Sequence, residues 1–369
     1  MRTKNKLLYP FSLLYRLVVD IRNFLFDVEV FHSKEFEIPI ISIGNITVGG
    51  TGKTPHVLYL VNFLKDKYQL ATLSRGYKRK TKGFLNATEH STSLEIGDEP
   101  KLIKQTHAKI KVAVDANRVN GINKLLSQSE ELELILLDDA YQHRWVKAGL
   151  SILLVDYNRP LKDDSYLPYG NLRENASQKK RANIVIVTKT PENIKPMEQR
   201  VMLENLKLFA YQSLFFTRMK YQNLINVFDR SIELNIEMLN ENNSLLVVTG
   251  IAQADDMISY LKQTKADIKH LKFSDHHNFK NGDIETILHN FRKLNSENKF
   301  IITTEKDAMR LNEFSQFDDE IKRYFYFLPI KVAFLNNQEN EFQSLILEYL
   351  KGNSKMAKKP NYNFNKNDN

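Results

Sequence analysis

The chain has 369 residues, of which 42% are hydrophobic and 26% are charged, and it contains no cysteine. This composition is that of a soluble globular protein long enough for two α/β domains, and the lack of cysteine excludes disulfides and thiolate metal sites. The formal net charge of +9 favours an anionic partner, which leaves nucleic acid, a phospholipid surface and a phosphorylated substrate as candidates.

The first 35 residues are predicted to form a separate amphipathic helix. Residues 7–31 are rich in Leu, Val and Phe, but charged residues interrupt them too often for a transmembrane span, and no signal-peptide cleavage site follows. Such a helix fits a membrane interface and a place on the protein's own core equally well, and we expect it to insert into lipid. The predicted apolar face consists of Leu13, Leu14, Leu17, Ile21, Phe24 and Leu25, with Arg16, Asp20 and Arg22 off that face.

Residues 36–225 show the pattern of a P-loop NTPase-type parallel sheet with helices on both faces. Short, almost continuous apolar runs alternate with helical patterns, as in a sheet that is covered on both sides. Ligands of such sheets bind beyond the carboxyl ends of the strands. The predicted strands are PIISIGNI, YQLATLSRGY, IKVAVD, LELILLDDA, LSILLVDY and ANIVIVTKT.

A glycine-rich turn lies between a predicted strand and a predicted helix within residues 42–60, SIGNITVGGTGKTPHVLYL. Glycines let the backbone point N–H groups at phosphate oxygens, and the helix N-terminus adds partial positive charge. Lys53 is then expected to contact the β- and γ-phosphates of ATP, and Thr54 to ligate Mg²⁺. The predicted nucleotide-binding residues are Gly49, Gly50, Thr51, Gly52, Lys53 and Thr54.

The turn departs from the usual P-loop template at Thr47, where that template has glycine. Its GGTGKT core resembles the variant loop of partitioning ATPases and dethiobiotin synthetase. Those proteins carry a second, signature lysine where this chain has Val48.

An aspartate pair, Asp138 and Asp139, follows the apolar run LELILL. Carboxylates at a strand end beside a triphosphate are suited to hold Mg²⁺ or its water. The alternative is an acidic turn that caps a following helix. The P-loop upstream favours the metal role.

A second, smaller α/β domain is predicted over residues 226–350. Its strand-like runs include NSLLVVTGIA, KFIITTEKDAMRL and RYFYFLPIKVAF. The lysine-rich residues 351–369 are predicted to be a disordered basic tail.

Seven motifs follow one another across residues 44–311: GNITVGGTGKTP, LSRGYKRK, GDEPKLI, DDAYQHRWV, LPYGNLRE, FSDHHNF and TTEKDAMRL. Their succession resembles the tetraacyldisaccharide 4′-kinases, the lipid A 4′-kinases of Gram-negative bacteria. The resemblance covers nearly the whole chain except the last twenty or so residues. It departs from the usual family pattern at Ala140, Asn175 and Ser274, none of which removes a group that the chemistry needs.

The resemblance implies transfer of the ATP γ-phosphate to the 4′-hydroxyl of a tetraacyl glucosamine disaccharide 1-phosphate, a lipid A precursor. It implies catalytic roles for Lys53 and Arg173, and an Asp98–His276 dyad that activates the sugar hydroxyl. Which member of the dyad is nearer to the hydroxyl stays open. The implied metal ligands are Thr54, Asp138, Asp139 and Glu174.

The resemblance also implies ATP and Mg²⁺ as cofactors and a place on the cytoplasmic face of the inner membrane, with the protein bound to the membrane surface. We expect a monomer that does not bind nucleic acid. Two other functions remain open: a membrane-surface P-loop ATPase switch, and a soluble small-molecule kinase. The signature lysine missing at Val48 disfavours the first, and the N-terminal helix disfavours the second.

Overall fold

The computed structural model describes residues 5–251, 254–275, 277–296 and 298–357. The strands are β1 (Ile40–Gly44), β2 (Leu70–Ser74), β3 (Leu85–Asn86), β4 (Lys111–Val114), β5 (Leu134–Asp138), β6 (Leu150–Asp156), β7 (Ile184–Thr188), β8 (Ser213–Tyr221), β9 (Leu224–Asn226), β10 (Glu233–Leu234), β11 (Asn243–Thr249), β12 (Asp267–Lys272), β13 (Asn298–Thr304), β14 (Phe325–Leu328) and β15 (Ile330–Phe334). The helices are α1 (Tyr9–Asp27), α2 (Lys53–Leu64), α3 (Ser93–Ile96), α4 (Asp98–Thr106), α5 (Arg118–Ser127), α6 (Pro196–Leu206), α7 (Asp255–Leu261), α8 (Asn281–Arg292), α9 (Glu305–Leu311), α10 (Asp319–Lys322) and α11 (Glu339–Ala357).

Nine strands form the first sheet, in the order β15-β8-β7-β6-β1-β5-β2-β4-β3. The seven strands from β8 to β4 pair in parallel, and the edge strands β15 and β3 pair antiparallel to their neighbours. Successive strand residues face opposite sides, so Ile41 and Ile43 pack with α2, α4 and α11, while Ile40 packs with α5 on the other side. The predicted parallel α/β sheet with helices on both faces is confirmed.

A second sheet of six strands, in the order β10-β9-β14-β13-β11-β12, forms the smaller domain. Strands β12, β11, β13 and β14 are parallel, and β9 and β10 add antiparallel pairs at one edge. The core of this domain also takes in Leu102, which belongs to α4 of the first domain.

The chain returns to the first domain after β14, which differs from the predicted division at residues 226–350. Strand β15 pairs antiparallel with β8, and α11 contributes Phe342, Ile346 and Leu350 to the core of the first sheet. The physical reason is the apolar stripe of α11, which covers the sheet face beside α2. Helix α11 also runs through residues 351–357 of the predicted tail, and residues 358–369 lie outside the described part of the chain.

The predicted N-terminal helix is present as α1. Its C-terminal end is fixed to the first domain by Phe26, which packs against Trp145, and by Asp27, which forms ion pairs with Arg144 (2.7 Å) and Lys180 (2.9 Å). Among the described residues, no helix has the length and apolar content required to cross a membrane.

The packing of α11 predicts that it is required for the stability of the first domain. Phe342 is 1% exposed and contacts the rings of Phe215 and Phe334. Phe342→Ala should lower the free energy of unfolding by about 3–5 kcal/mol, because it leaves a cavity in the core. Denaturant unfolding measures this loss. The exposed Glu348→Ala on the same helix is the control, and equal effects of the two changes would contradict the assignment.

Candidate active site

The P-loop lies at the carboxyl end of β1, next to β5. Ile43 of β1 pairs in parallel with Asp138, the last residue of β5, so the glycine-rich turn and the aspartate pair leave adjacent strands at the same edge. Sequence analysis predicted this juxtaposition from the two motifs, and the register accounts for it. The turn is tied to its surroundings by hydrogen bonds from Val48 N to Asn171 O (2.7 Å) and from Thr188 Oγ1 to Thr51 O (2.9 Å).

Two glycines of the turn have backbone conformations that side chains disfavour. Gly49 has φ +98° and Gly52, the N-cap of α2, has φ +82°. A Cβ on Gly52 would lie 2.4 Å from Met219 Cε, and one on Gly49 would lie 2.6 Å from Arg159 Nη1. Thr47, by contrast, lies in an antiparallel bridge with Leu172, so its side chain is accommodated where the usual template has glycine.

Lys53 points from the first turn of α2 toward the aspartate pair. Its Nζ donates to Asn45 Oδ1 (3.2 Å) and forms an ion pair with Asp139 Oδ1 (3.5 Å). Asn45 is in turn held by donating from Nδ2 to Thr51 Oγ1 (2.8 Å). The amine is therefore positioned over the turn before any phosphate binds, and Thr54 lies buried beside it.

Asp138 is a buried carboxylate with an unsatisfied oxygen. It is 4% exposed, and its Oδ1 has no hydrogen-bond partner. Burial, reinforced by the neighbouring carboxylates of Asp139 and Glu99, raises the pKa of Asp138 to about 7. A buried carboxylate of this kind can be ionised at low free-energy cost only when a cation lies beside it.

Asp139 is ionised by its neighbours. Burial opposes ionisation, but Lys53 and Arg173 outweigh it and hold the pKa of the Asp139 carboxyl below its usual range. Arg173 Nη1 donates to both oxygens of Asp139, at 3.0 and 3.2 Å. The two aspartates thus differ in partners, since Asp139 is shared between two cations and Asp138 has an open oxygen.

Glu174 is fully buried, and both of its oxygens accept hydrogen bonds from arginines. Arg22 of α1 donates to Oε1 (3.0 Å), and Arg181 donates to Oε2. Gln142 connects this carboxylate to the site, because its Nε2 lies 3.4 Å from Glu174 Oε2 and its Oε1 lies 3.4 Å from Arg173 Nη1. Both oxygens of Glu174 are thus held by arginines, and the metal role that the resemblance implies for Glu174 stays a prediction.

Asp98 begins α4 and faces the second domain. Arg310 of α9 holds it with two hydrogen bonds, one from Nε to Oδ1 (2.9 Å) and one from Nη2 to Oδ2. His276, the predicted partner of Asp98, lies outside the described residues. Its neighbour His277 is held by Asp283, with 2.9 Å between Nε2 and Oδ2.

Sequence analysis missed several residues of this network, chiefly Asn45, Gln142, Arg22 and Arg310. Asn45 and Gln142 occur inside the quoted motifs GNITVGGTGKTP and DDAYQHRWV, so their presence was the available signal. Arg22 was assigned only as a residue off the apolar face of the helix. Arg310 is 212 positions from Asp98, and no local pattern connects the two.

The site fits a magnesium–nucleotide complex. The turn has two glycines in the left-handed region and a lysine over it, which match the triphosphate. The buried carboxylate with an unsatisfied oxygen matches the cation. Mg²⁺ prefers oxygen ligands and keeps several waters when it bridges phosphates. Thr54, Asp138 and Asp139 are the described residues suited to hold it. Within the described ranges, no group of three or more His, Asp or Glu side chains is arranged as a metal site.

A family model described as tetraacyldisaccharide-1-P 4′-kinase matches residues 4–351. The chain belongs to this family. The resemblance inferred from the seven motifs is thereby confirmed, and the match includes both domains and α1.

Individual relatives agree with this membership. The chain is 47% identical to a tetraacyldisaccharide 4′-kinase of Bacteroides fragilis, over 96% of each protein. It is 44% identical to one of Flavobacterium johnsoniae, over 96% of this chain and 99% of that protein. The crystal structure of LpxK from Aquifex aeolicus in complex with ATP is similar to this fold, with a TM-score of 0.73 and 29% identity over 93% of this chain and 98% of that one.

A buried histidine, His56, holds the backbone of the P-loop by a hydrogen bond. His56 donates from Nδ1 to Gly52 O (2.8 Å), and its Nε2 accepts from Thr217 Oγ1 (3.0 Å). Burial lowers the pKa of His56 to about 4, so the imidazole is neutral at pH 7. With the ring neutral, the proton is on Nδ1, because Gly52 O can only accept, and Nε2 is left to accept from the Thr217 hydroxyl.

His56 therefore predicts a pH dependence of folding stability. The unfolded chain binds a proton near pH 6.5 and the folded chain only near pH 4, so stability present above pH 6.5 is lost as the pH falls toward 4. At about 1.4 kcal/mol per pH unit, the wild type should lose about 3 kcal/mol more than His56→Gln between pH 6.5 and 4. Urea unfolding at a series of pH values measures the difference. His90→Gln, on an exposed turn, is the control, and parallel curves for wild type and His56→Gln would contradict the assignment.

Proposed function

We propose that this protein transfers the γ-phosphate of ATP to the 4′-hydroxyl of a tetraacyl glucosamine disaccharide 1-phosphate. The observation that carries the proposal is the pairing of β1 with β5, which sets Lys53 and the phosphate-binding turn against Asp138 and Asp139 in a member of the tetraacyldisaccharide-1-P 4′-kinase family. The product is the bis-phosphorylated lipid A precursor.

Positioning and charge neutralisation supply most of the rate in phosphoryl transfer. Lys53 and the backbone N–H groups of residues 49–54 hold the β- and γ-phosphates, and Arg173 offers a second cation beside Asp139. Thr54, Asp138 and Asp139 would hold Mg²⁺, which would neutralise charge on the phosphate oxygens. The proposal keeps Glu174 close to the metal, as the resemblance implies, and its pairing with Arg22 and Arg181 fixes the Arg173 segment.

The sugar hydroxyl requires a base, because it is a poor nucleophile near pH 7. Asp98 and His276 fill this role in the proposal as a carboxylate–imidazole pair, in which one member accepts the hydroxyl proton and the other orients it. Asp98 stands at the domain interface, where a substrate bound between the domains would meet it.

Helix α1 supports a place for the enzyme at the membrane surface. Its inward side is buried and combines Val19 and Phe26 with polar contacts, in which Ser12 donates to Tyr166 O (2.7 Å) and Tyr15 donates to Arg173 O (3.1 Å). Its outward side is apolar and exposed, with Phe11, Leu14 and Phe24 each 61–63% exposed. A contiguous exposed apolar surface of this kind is typical of a membrane or protein contact, and a lipid substrate favours the membrane.

We infer from this surface that the enzyme is a monomer bound peripherally at the cytoplasmic face of the inner membrane. ATP is supplied on that side. The net charge of +9 is then explained by attraction to anionic lipid and to the phosphorylated substrate, and not by binding to nucleic acid.

Activity tests the proposal with purified protein, Mg²⁺-ATP and the tetraacyl disaccharide 1-phosphate in mixed micelles. The lipid should gain one phosphate, as measured by mass. Lys53→Ala should lower the rate about 100- to 1,000-fold through lost phosphate stabilisation, and His276→Ala about 100- to 10,000-fold through the lost base.

Matched controls for these two variants are Lys82→Ala and His90→Ala, both at exposed positions. They should keep the wild-type rate. ATP hydrolysis without a phosphorylated lipid would contradict the kinase and favour the ATPase switch.

Vesicle binding tests the role of α1 separately. The triple change Leu14→Ser, Leu17→Ser and Phe24→Ser should weaken binding to anionic vesicles at least about 100-fold, because each large apolar side chain contributes about 1.5–3 kcal/mol on burial. Co-sedimentation measures it. The control is Met197→Ser, Val201→Ser and Leu203→Ser on α6, whose side chains are also exposed. Unchanged binding of the α1 triple variant would refute insertion of this face.

A further inference from the structure

Three ion pairs join α4 of the first domain to α9 and its following turn in the second domain. Each pairs one residue of GDEPK with one residue of EKDAMRLNE: Asp98 with Arg310, Glu99 with Lys306 (2.5 Å), and Lys101 with Glu313. Two motifs that are separated by about two hundred residues therefore meet at one interface. Leu102 adds an apolar contact there, since it packs into the core of the second domain.

Arg310 differs from Lys306 and Lys101, the cations of the other two pairs, because a carboxylate of its own domain also holds it. Its Nη1 donates to Asp307 Oδ1 (3.1 Å), and Asp307 is fully buried. Asp307 is held in turn, because its Oδ2 accepts from Gly250 N and from Thr304 Oγ1, each at 2.8 Å. The carboxylate behind the guanidinium thus has little freedom, and the direction in which Arg310 points is set by the ends of β11 and β13.

The front of the same guanidinium contacts both sides of the domain interface. It holds the two oxygens of Asp98 in a bidentate pair, and its Nη1 lies 3.4 Å from His277 O, in the loop of the FSDHHNF motif. A bidentate arginine–carboxylate pair fixes orientation as well as distance, which a lysine cannot do. Arg310 therefore contacts one member of the predicted dyad directly and the loop that carries the other.

We propose that Arg310 is a positioning residue for phosphoryl transfer, which orients Asp98 toward the substrate hydroxyl and registers the His276-bearing loop of the second domain against α4. This inference rests on the proposed function, because it assigns Arg310 to the base of that reaction. Arg310 acts through Asp98 and is not itself expected to contact the transferred phosphate.

A purely structural role for Arg310 predicts different behaviour. The Lys101–Glu313 pair crosses the same interface, and Lys101 is buried. If Arg310 only held the domains together, the loss of either pair would affect the enzyme alike. If Arg310 orients Asp98, its loss should lower kcat, whereas the loss of Glu313 should affect stability and leave kcat near the wild-type value.

The experiment is a double-mutant cycle in the lipid phosphorylation assay, with wild type, Arg310→Lys, Asp98→Asn and the double variant. Arg310→Lys keeps a cation beside buried Asp307, so the fold is retained, but it loses the bidentate geometry. We expect kcat to fall about 100-fold in Arg310→Lys, as for misplacement of a reacting group, with little change in ATP affinity. In the Asp98→Asn background the same change should cost less than about threefold, because residues that act as a unit are not additive.

Arg310→Met and Glu313→Gln complete the set, with thermal unfolding and fluorescent-nucleotide binding recorded for every variant. Equal kcat losses in Arg310→Lys and Glu313→Gln, or additive losses in the cycle, would overturn the inference while leaving the kinase intact. A wild-type protein that forms no phosphorylated lipid would overturn the proposed function, and the inference with it. Full additivity of Arg310→Met with Asp98→Asn would likewise show that Arg310 does not act through Asp98.

Discussion

The buried carboxylate of Asp138 is the constraint around which the site is organised. A carboxylate at the end of an apolar strand, with an oxygen that lacks a hydrogen-bond partner, is costly unless a cation lies close to it. Lys53 compensates part of the negative charge, but it also serves Asp139 and Asn45. A divalent cation would balance the remaining negative charge. The turn proposed to bind the phosphates of the metal–nucleotide complex lies at the end of the adjacent strand, β1.

From this centre the charged contacts extend in two directions. Toward α1 they run through Asp139, Arg173 and Gln142 to Glu174, which Arg22 of α1 holds. The helix with the exposed apolar face is therefore connected, by side chains within hydrogen-bond distance, to Asp139 of the aspartate pair. A helix seated in a lipid surface would thus set the position of the segment that carries Arg173.

Toward the second domain the contacts run through Glu99 and Asp98 to Lys306 and Arg310. Because cores of both domains meet near Leu102, the small domain is not an independent attachment. The second domain supplies Lys306 and Arg310. These cations hold Glu99 and Asp98 of the first domain, at the start of α4.

Much of this was predictable from local sequence. Apolar runs ending in turn residues predicted the parallel sheet, and GGTGKT and LELILLDDA placed Lys53 and Asp138 at strand ends, because parallel strands bring such ends to one edge. The return of the chain was not predictable in this way. The residues of β15 are compatible with either sheet, and the choice of partner depends on β8, more than a hundred residues earlier.

The same limit applies to the charged residues. The resemblance implies Glu174 as a metal ligand, but no local pattern predicts that Arg22, 152 positions away, donates to one of its oxygens. Burial and long-range pairing decide which groups surround a carboxylate, and neither is contained in the eight-residue motif LPYGNLRE. The order of seven motifs along the chain carried more information about function than any single residue.

The position of the transferred phosphate tests the central claim most directly. The lipid product formed from Mg²⁺-ATP can be examined by phosphorus–proton correlation NMR. The account predicts a second phosphate coupled to the proton at the 4′ carbon of the distal glucosamine, and its absence when Mg²⁺ is withheld. A phosphate on any other hydroxyl, or release of inorganic phosphate with the lipid unchanged, would contradict it.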